Sequence, residues 1–444
     1  MGIRDILLLG LIAACIPAAL ARPWLGVIGW TWLGLMNPHK MSWALRTYPF
    51  AQVVGIATLI GLVITRDRRD LPKTFETAML VVVSLYFTLT TIFAWYPEVS
   101  WVQWEKVAKI VLFTFITMML IRGHHRIRYL LLTIAVSLGF YGVKGGIFGI
   151  ATGGSYRIWG PANTFIADNT ALGLALCMLL PILLTLARYE STKWARYSLF
   201  AAFWLTIPAI MFTYSRGALI GLAVLAPPLL WRYRRHILPL AIVGVLAGPL
   251  IVASIPEQWY ARQETTLDYQ KDYSAMQRVQ AWGVSTNIAL DRPLLGAGFN
   301  FEYAGHTERW LSYANFLGPW HNEERAAHSI YFQVLGQHGF GGFAVFMLLL
   351  WGTFFRLHRL ARLEKEGPRY AWLGGYARGI QLAMIPYFAA GAFLSLAYFD
   401  LIYTLIAISA VLHREYAELR LSSTEEAVTQ SAEVGRGAVL SEDV

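Results

Sequence analysis

The chain has 444 residues, 56% of them hydrophobic and only 14% charged, with a net charge of +10. So apolar a balance excludes an ordinary soluble domain, and apolar runs of roughly 17 to 25 residues, many followed by arginine clusters, argue against a β-barrel. The positive charge falls in short clusters between the runs, as the positive-inside bias predicts, so it marks topology and not a nucleic-acid partner.

In chain order, Arg4 precedes an apolar stretch over residues 5 to 36 that is broken at Pro17 and again at Pro23. It reads as an uncleaved first anchor, crossing once as a broken or partly re-entrant unit. Residues 50 to 65 form the next span. Ten crossings follow, near 76 to 96, 105 to 121, 129 to 150, 169 to 187, 197 to 214, 216 to 231, 237 to 255, 338 to 356, 376 to 397 and 399 to 413. The whole is an all-α polytopic membrane protein with about twelve transmembrane helices. Taking the clusters at Arg66/Arg68/Arg69, Arg122/Arg126/Arg128, Arg188/Lys193/Arg196, Arg232/Arg234/Arg235, Arg356/Arg359/Arg362/Lys365 and Arg414 as cytoplasmic puts five segments outside. These are 37 to 49, 97 to 104, 151 to 168, the turn at 214 to 216 and one long loop, 256 to 325. Residues 1 to 255 thus hold eight to nine spans, 256 to 325 an outer loop containing helices, 326 to 420 the last spans, and 421 to 444 a Ser/Glu-rich tail read as disordered. Cys15 and Cys177 lie in apolar runs and suggest neither a disulfide nor a metal site.

In "FTYSRGAL" (212 to 219), Arg216 stands in the turn between two spans at the outer boundary, with Gly217 letting the backbone bend. An arginine that snorkels to the interface would account for it taken alone. The outer loops also hold Lys40, Arg46, Arg157, Arg262, Arg278, Arg292, Arg309 and Arg325, against the positive-inside bias. An anionic ligand offers a reason, because the planar guanidinium fork suits phosphate and binds it more strongly in a partly dehydrated site.

Arg278 opens an amphipathic stretch, 274 to 290, with Trp282 four residues on along one face. Either the face is simply solvated, or Arg278 shares an anion with Arg216. His338 stands where a helical stretch from about 326 meets the apolar run from 340, among Gly336, Gly339, Gly341 and Gly342. It is either a hydrogen-bonded packing residue or a proton acceptor. His328, ten residues earlier, falls on another helix face, which argues against a two-histidine metal pair. There is no DxD, HExxH, P-loop or GxSxG, so nothing indicates magnesium-held nucleotide phosphates, zinc hydrolysis or a serine elbow; no metal or other cofactor is expected. Arg157 beside Trp159 is the best further candidate for a sugar or lipid groove, with Arg262, Tyr273, Trp282 and Arg292, although tryptophan and tyrosine also settle at membrane interfaces as anchors.

Three blocks, "YSRGALIGL" (214 to 222), "QRVQAWGVSTNIALDRPLLGAGFNFE" (277 to 302) and "AHSIYFQVLGQHGFGGF" (327 to 343), flank or lie in the long loop. In that order they resemble the O-antigen ligase and O-antigen polymerase superfamily of bacterial inner-membrane glycosyltransferases, and most of all its O-antigen ligases. The resemblance implies a GT-C-like fold, a donor polysaccharide on undecaprenyl pyrophosphate, and a lipid A-core acceptor met at the periplasmic face among membrane lipids. By position it makes Arg216, Arg278 and His338 the catalytic set. The arginines would hold the pyrophosphate, and His338 would orient or deprotonate the acceptor hydroxyl for a metal-independent inverting displacement. An O-antigen polymerase or a protein O-oligosaccharyltransferase would share the donor and differ in acceptor. A lipid-linked sugar transporter would need ionisable groups near mid-membrane, whereas Lys144, Arg378 and Asp400 each fall within a turn or two of an expected helix end.

Overall fold

The computed structural model describes residues 2–67, 70–233, 273–318 and 322–440. Its elements are α1 (Ile3–Ala21), α2 (Pro23–Met36), α3 (Phe50–Ile64), α4 (Phe75–Ile92), α5 (Pro97–Leu120), α6 (Gly123–Ala151), α7 (Asn169–Tyr189), α8 (Lys193–Met211), α9 (Arg216–Arg232), α10 (Tyr273–Asp291), α11 (Thr307–Leu311), α12 (Ile330–Leu360), α13 (Pro368–Ala390) and α14 (Asp400–Leu440). Among the described residues there is no strand. Among the described residues five stretches are long and apolar enough to cross a membrane: Ile3–Ala21, Phe75–Ile92, Gly123–Ala151, Asn169–Tyr189 and Ile330–Lys365. The expected span at 237 to 255 lies outside the described residues.

Several boundaries differ from the sequence reading, each for a local reason. The first stretch breaks at Arg22 because Pro23 cannot continue α1 but is well placed in the first turn of α2. Residues 97 to 104, expected as a loop, are the first turns of α5, again opened by a proline. The stretch from 421, expected to be disordered, continues α14 to Leu440. Arg378 is the larger correction: α13 starts at Pro368, so Arg378 lies about three turns from either end rather than near one, and its guanidinium donates to Gln381 Oε1 at 2.7 Å.

The centre of the bundle is α7, buried at every position from Ala171 to Ala187. A helix apolar all round must be enclosed by others, and α6, α8, α9 and α13 supply the walls. Small residues permit the approach: Gly173 faces Ala218 on α9, Gly379 faces Thr185, and Gly146 on α6 lies against the Leu205 carbonyl of α8.

The arginine clusters meet carboxylates at one end of this bundle. Arg126 pairs with Asp67 at 3.0 Å, Arg188 with Glu364 at 3.2 Å and Arg356 with Glu76 at 3.2 Å, while Arg128 pairs with Glu190 and Arg232 with Glu364. Glu76 is fully buried and also accepts from Ser409 Oγ at 2.9 Å, so it joins α4, α12 and α14. Glu76→Ala should therefore destabilise the bundle by about 2 to 3 kcal/mol, the worth of hydrogen bonds to a charged group. A thermal unfolding midpoint unchanged in detergent would refute that role.

Candidate functional site

The opposite end carries the turn between α8 and α9. Ser215 caps α9, its hydroxyl accepting from the Ala218 amide at 3.1 Å, so Arg216 projects from the first turn, where the helix dipole is itself positive. The bend does not depend on Gly217, which is already helical and packs near Phe393 and Thr170. Tyr214 makes it, at φ 57°, a region costly for an aromatic residue. Its hydroxyl donates to the Gly154 carbonyl at 2.5 Å, and the Arg157 guanidinium lies 6.0 Å from its ring and 5.5 Å from that of Trp159. Asn169 Nδ2 donates to the Thr213 carbonyl at 2.7 Å. The 151 to 168 loop, the start of α7 and Arg216 therefore share one wall.

The second wall is α10. Ser274, Gln277 and Arg278 face Arg325, Ala326 and His328 across a cleft of about 60 Å³. Trp282, one turn beyond Arg278, donates from Nε1 to the Ala327 carbonyl at 2.7 Å and stacks on Phe332 at 5.1 Å, which clamps α10 to the start of α12. His328 is held at φ 44° and lines the cleft. The surrounding protein, then the Arg278 charge, keeps its imidazole below the usual histidine pKa range; Asp168 opposes this. Asp168 caps α7 through the amides of Thr170 and Ala171, at 2.8 and 2.9 Å. Thr170 also neighbours Gly217, so the start of α7 that Asp168 caps abuts the turn that carries Arg216.

His338 lies elsewhere. It is eight residues into α12, about 12 Å along the axis from its start, and is fully buried. Nδ1 is 2.6 Å from Thr90 Oγ1, Nε2 is 2.9 Å from the Tyr398 hydroxyl, and the ring stacks on Phe87 at 4.0 Å. Both ring nitrogens are thus engaged within the protein. The glycines around it do loosen the helix, as expected, but at one point: Gly339 breaks α12 with φ 65° and ψ −173°.

Residues 201–347, which contain all three expected catalytic positions, match a family model described as O-antigen ligase. This part of the chain is of the O-antigen ligase type. Residues 3–191 match a family of unknown function, and no curated protein matches the chain.

Within the ligase-type region, the structure brings Arg278 together with Arg325 and His328, two residues that sequence reasoning counted or set aside without joining them. The signal was available in "ERAAHS", where the arginine and the histidine are three residues apart just before a helix start. The other expected substrate residues scatter. Trp159 and Tyr273 are exposed, Arg157 lines the Arg216 wall, and Trp282 is a clamp and not a platform. Arg292 donates to the Phe93 carbonyl at 2.8 Å and lies 5.9 Å from the Trp95 ring, which makes it a loop staple. Arg262 lies outside the described residues. Among the described residues no group of three or more His, Cys, Asp or Glu side chains is placed to hold a metal ion.

Proposed function

We propose that the protein is a membrane glycosyltransferase that ligates O-antigen polysaccharide from undecaprenyl pyrophosphate to a sugar hydroxyl of lipid A-core at the periplasmic face of the bacterial inner membrane. The bundle would be GT-C-like with about twelve crossings. The observation that carries the reading is the cleft that Arg278 and Arg325 line together with His328. Two guanidinium walls suit the pyrophosphate and the negative charge that grows on it as the anomeric carbon–oxygen bond breaks. The acceptor oxygen forms the new bond from the opposite side of the sugar, inverting it, and its proton passes to a base with a free lone pair. His328 fits that part and His338 does not, because burial and then the Arg278 charge hold the His328 pKa below the usual histidine range, whereas both nitrogens of His338 are already engaged.

The test is transfer by purified protein from a lipid-pyrophosphate glycan to lipid A-core, with chelator present. His328→Ala is expected to lower the rate about a hundredfold at unchanged stability, the usual scale of a general base. The wild-type rate should rise with pH through the lowered histidine pKa and then level off, placing its acid limb below about 6.5, the ordinary value. Full activity in folded His328→Ala sinks the assignment. Product only with a peptide acceptor, or only with a second lipid-linked glycan, moves the reading to a protein O-oligosaccharyltransferase or to a polymerase.

A further inference from the structure

One buried polar chain is not used by that chemistry. The segment after α10 runs back along the break in α12: the amides of Ala297 and Gly298 donate to the Gly336 and Gln337 carbonyls, each at 2.9 Å, and the Gly341 amide donates to the Pro293 carbonyl at 3.1 Å. This seam delivers the Glu302 side chain, 4% exposed, to Gln337, whose Nε2 donates to the carboxylate oxygens at 3.1 and 3.3 Å. Gln337 Oε1 accepts from the Tyr398 hydroxyl at 2.7 Å, Tyr398 meets His338 Nε2, and His338 Nδ1 meets Thr90. The chain of groups is unbranched from a carboxyl at one end to a threonine at the other.

Proton counting gives this chain two complete arrangements. With Glu302 ionised, the Gln337 amide donates to it. The Tyr398 proton then goes to Gln337 Oε1, so His338 must donate from Nε2 to the Tyr398 oxygen, and Thr90 donates to Nδ1. With Glu302 protonated, every donor reverses. The carboxyl donates to Gln337 Oε1, the amide having turned over, and Gln337 Nε2 donates to Tyr398. Tyr398 then donates to Nε2, and His338 donates from Nδ1 to Thr90. The freed Thr90 proton also has a place, the Phe87 carbonyl at 3.0 Å, which accepts from Thr91 at 2.7 Å in either case. In each arrangement every link of the chain pairs one donor with one acceptor while the imidazole stays neutral, as a pocket walled by Phe87 and Phe299 requires.

We infer that Glu302 is a positioning residue whose ionisation sets the tautomer of His338 through Gln337 and Tyr398. The carboxyl is poised to act so near neutrality. Burial pushes its pKa up to about 7, with the Glu324 charge adding to the rise and its own backbone amide and Gln337 opposing it. Tyr303 and Tyr398 are the other titratable groups that feel its charge, and both stay neutral across that range. The inference does not depend on the proposed reaction, since the tautomer is read directly.

The experiment is nitrogen NMR on the full-length protein in lipid nanodiscs with isotope-labelled histidine, from about pH 5 to about pH 9, a range that brackets a carboxyl raised to neutrality. His338 is assigned by its loss in His338→Gln. In the wild type the protonated and unprotonated nitrogens are expected to exchange places with a midpoint near neutral pH. In Glu302→Gln, which is isosteric but cannot ionise, the pattern should be flat with pH. In Tyr398→Phe the chain is cut beyond Gln337 and the pattern should again be flat, which keeps the test open if the first variant folds poorly. A single His338 tautomer throughout in the wild type, or an exchange that persists in either folded variant, overturns the inference. Loss of transfer activity with an intact NMR exchange would count against the proposed reaction and leave this coupling standing.

Discussion

Arg278→Ala, inserted and folded like the parent, is expected to transfer polysaccharide at roughly one-hundredth to one-thousandth of the parental rate, the scale of losing one donor to a developing oxyanion. A second effect identifies the cause. The Arg278 charge is one of the forces lowering the pKa of His328, so its removal should move the acid limb of the rate profile to higher pH. Arg278→Lys separates the two roles. It keeps the charge, which holds the limb in place, but loses the planar fork, so the rate still falls. Initial rates against pH for the three proteins make the comparison. A near-normal rate in Arg278→Ala, or a limb that stays where it was, would remove Arg278 from the site. Arg325, on the facing wall of the same cleft, explains why the loss should stop short of complete silence.

The membrane class, the helical content and the general run of the elements were legible because apolar length and arginine clusters report directly on burial in lipid. Helix ends were less so. Pro97 reads as a stop but serves as a start, and the position of Arg378 follows from an α13 that begins eight residues earlier than its hydropathy. At the site, residue types were legible and partners were not. The excess of outer arginines flagged Arg216 and Arg278, yet nothing in the spacing distinguishes His328 from His338. Both lie in one polar-to-apolar transition ten residues apart. What separates them is tertiary: Thr90 and Tyr398, 248 and 60 residues away in sequence, close over His338. Glycine carried a similar ambiguity. Gly217 sits where a turn would use a glycine but the strained residue is Tyr214, whereas the cluster at 336 to 342 contains one position, Gly339, whose backbone conformation is open essentially to glycine alone.

Gly339→Ala is accordingly expected to be strongly destabilising. Its φ of 65° with ψ of −173° lies in a region open essentially to glycine alone. A Cβ there would also sit 2.4 Å from the Pro293 carbonyl oxygen and 2.8 Å from that of Arg292. Neither carbonyl can retreat freely: Pro293 accepts from the Gly341 amide, and Arg292 is stapled to Phe93. Strain and overlap together should cost on the order of 3 kcal/mol or more. Gly305→Ala is the control. It has a positive φ of 77° but nothing within 4 Å of the added carbon, so it should cost only about 1 to 2 kcal/mol. Thermal unfolding midpoints in one detergent compare them, and equal shifts would mean that close packing at the α12 break contributes nothing. If Gly339→Ala falls as expected, its residual folded fraction should also transfer slowly. The seam at 292 to 302 is the direct continuation of α10, so displacing it moves Arg278 away from His328 without altering either side chain.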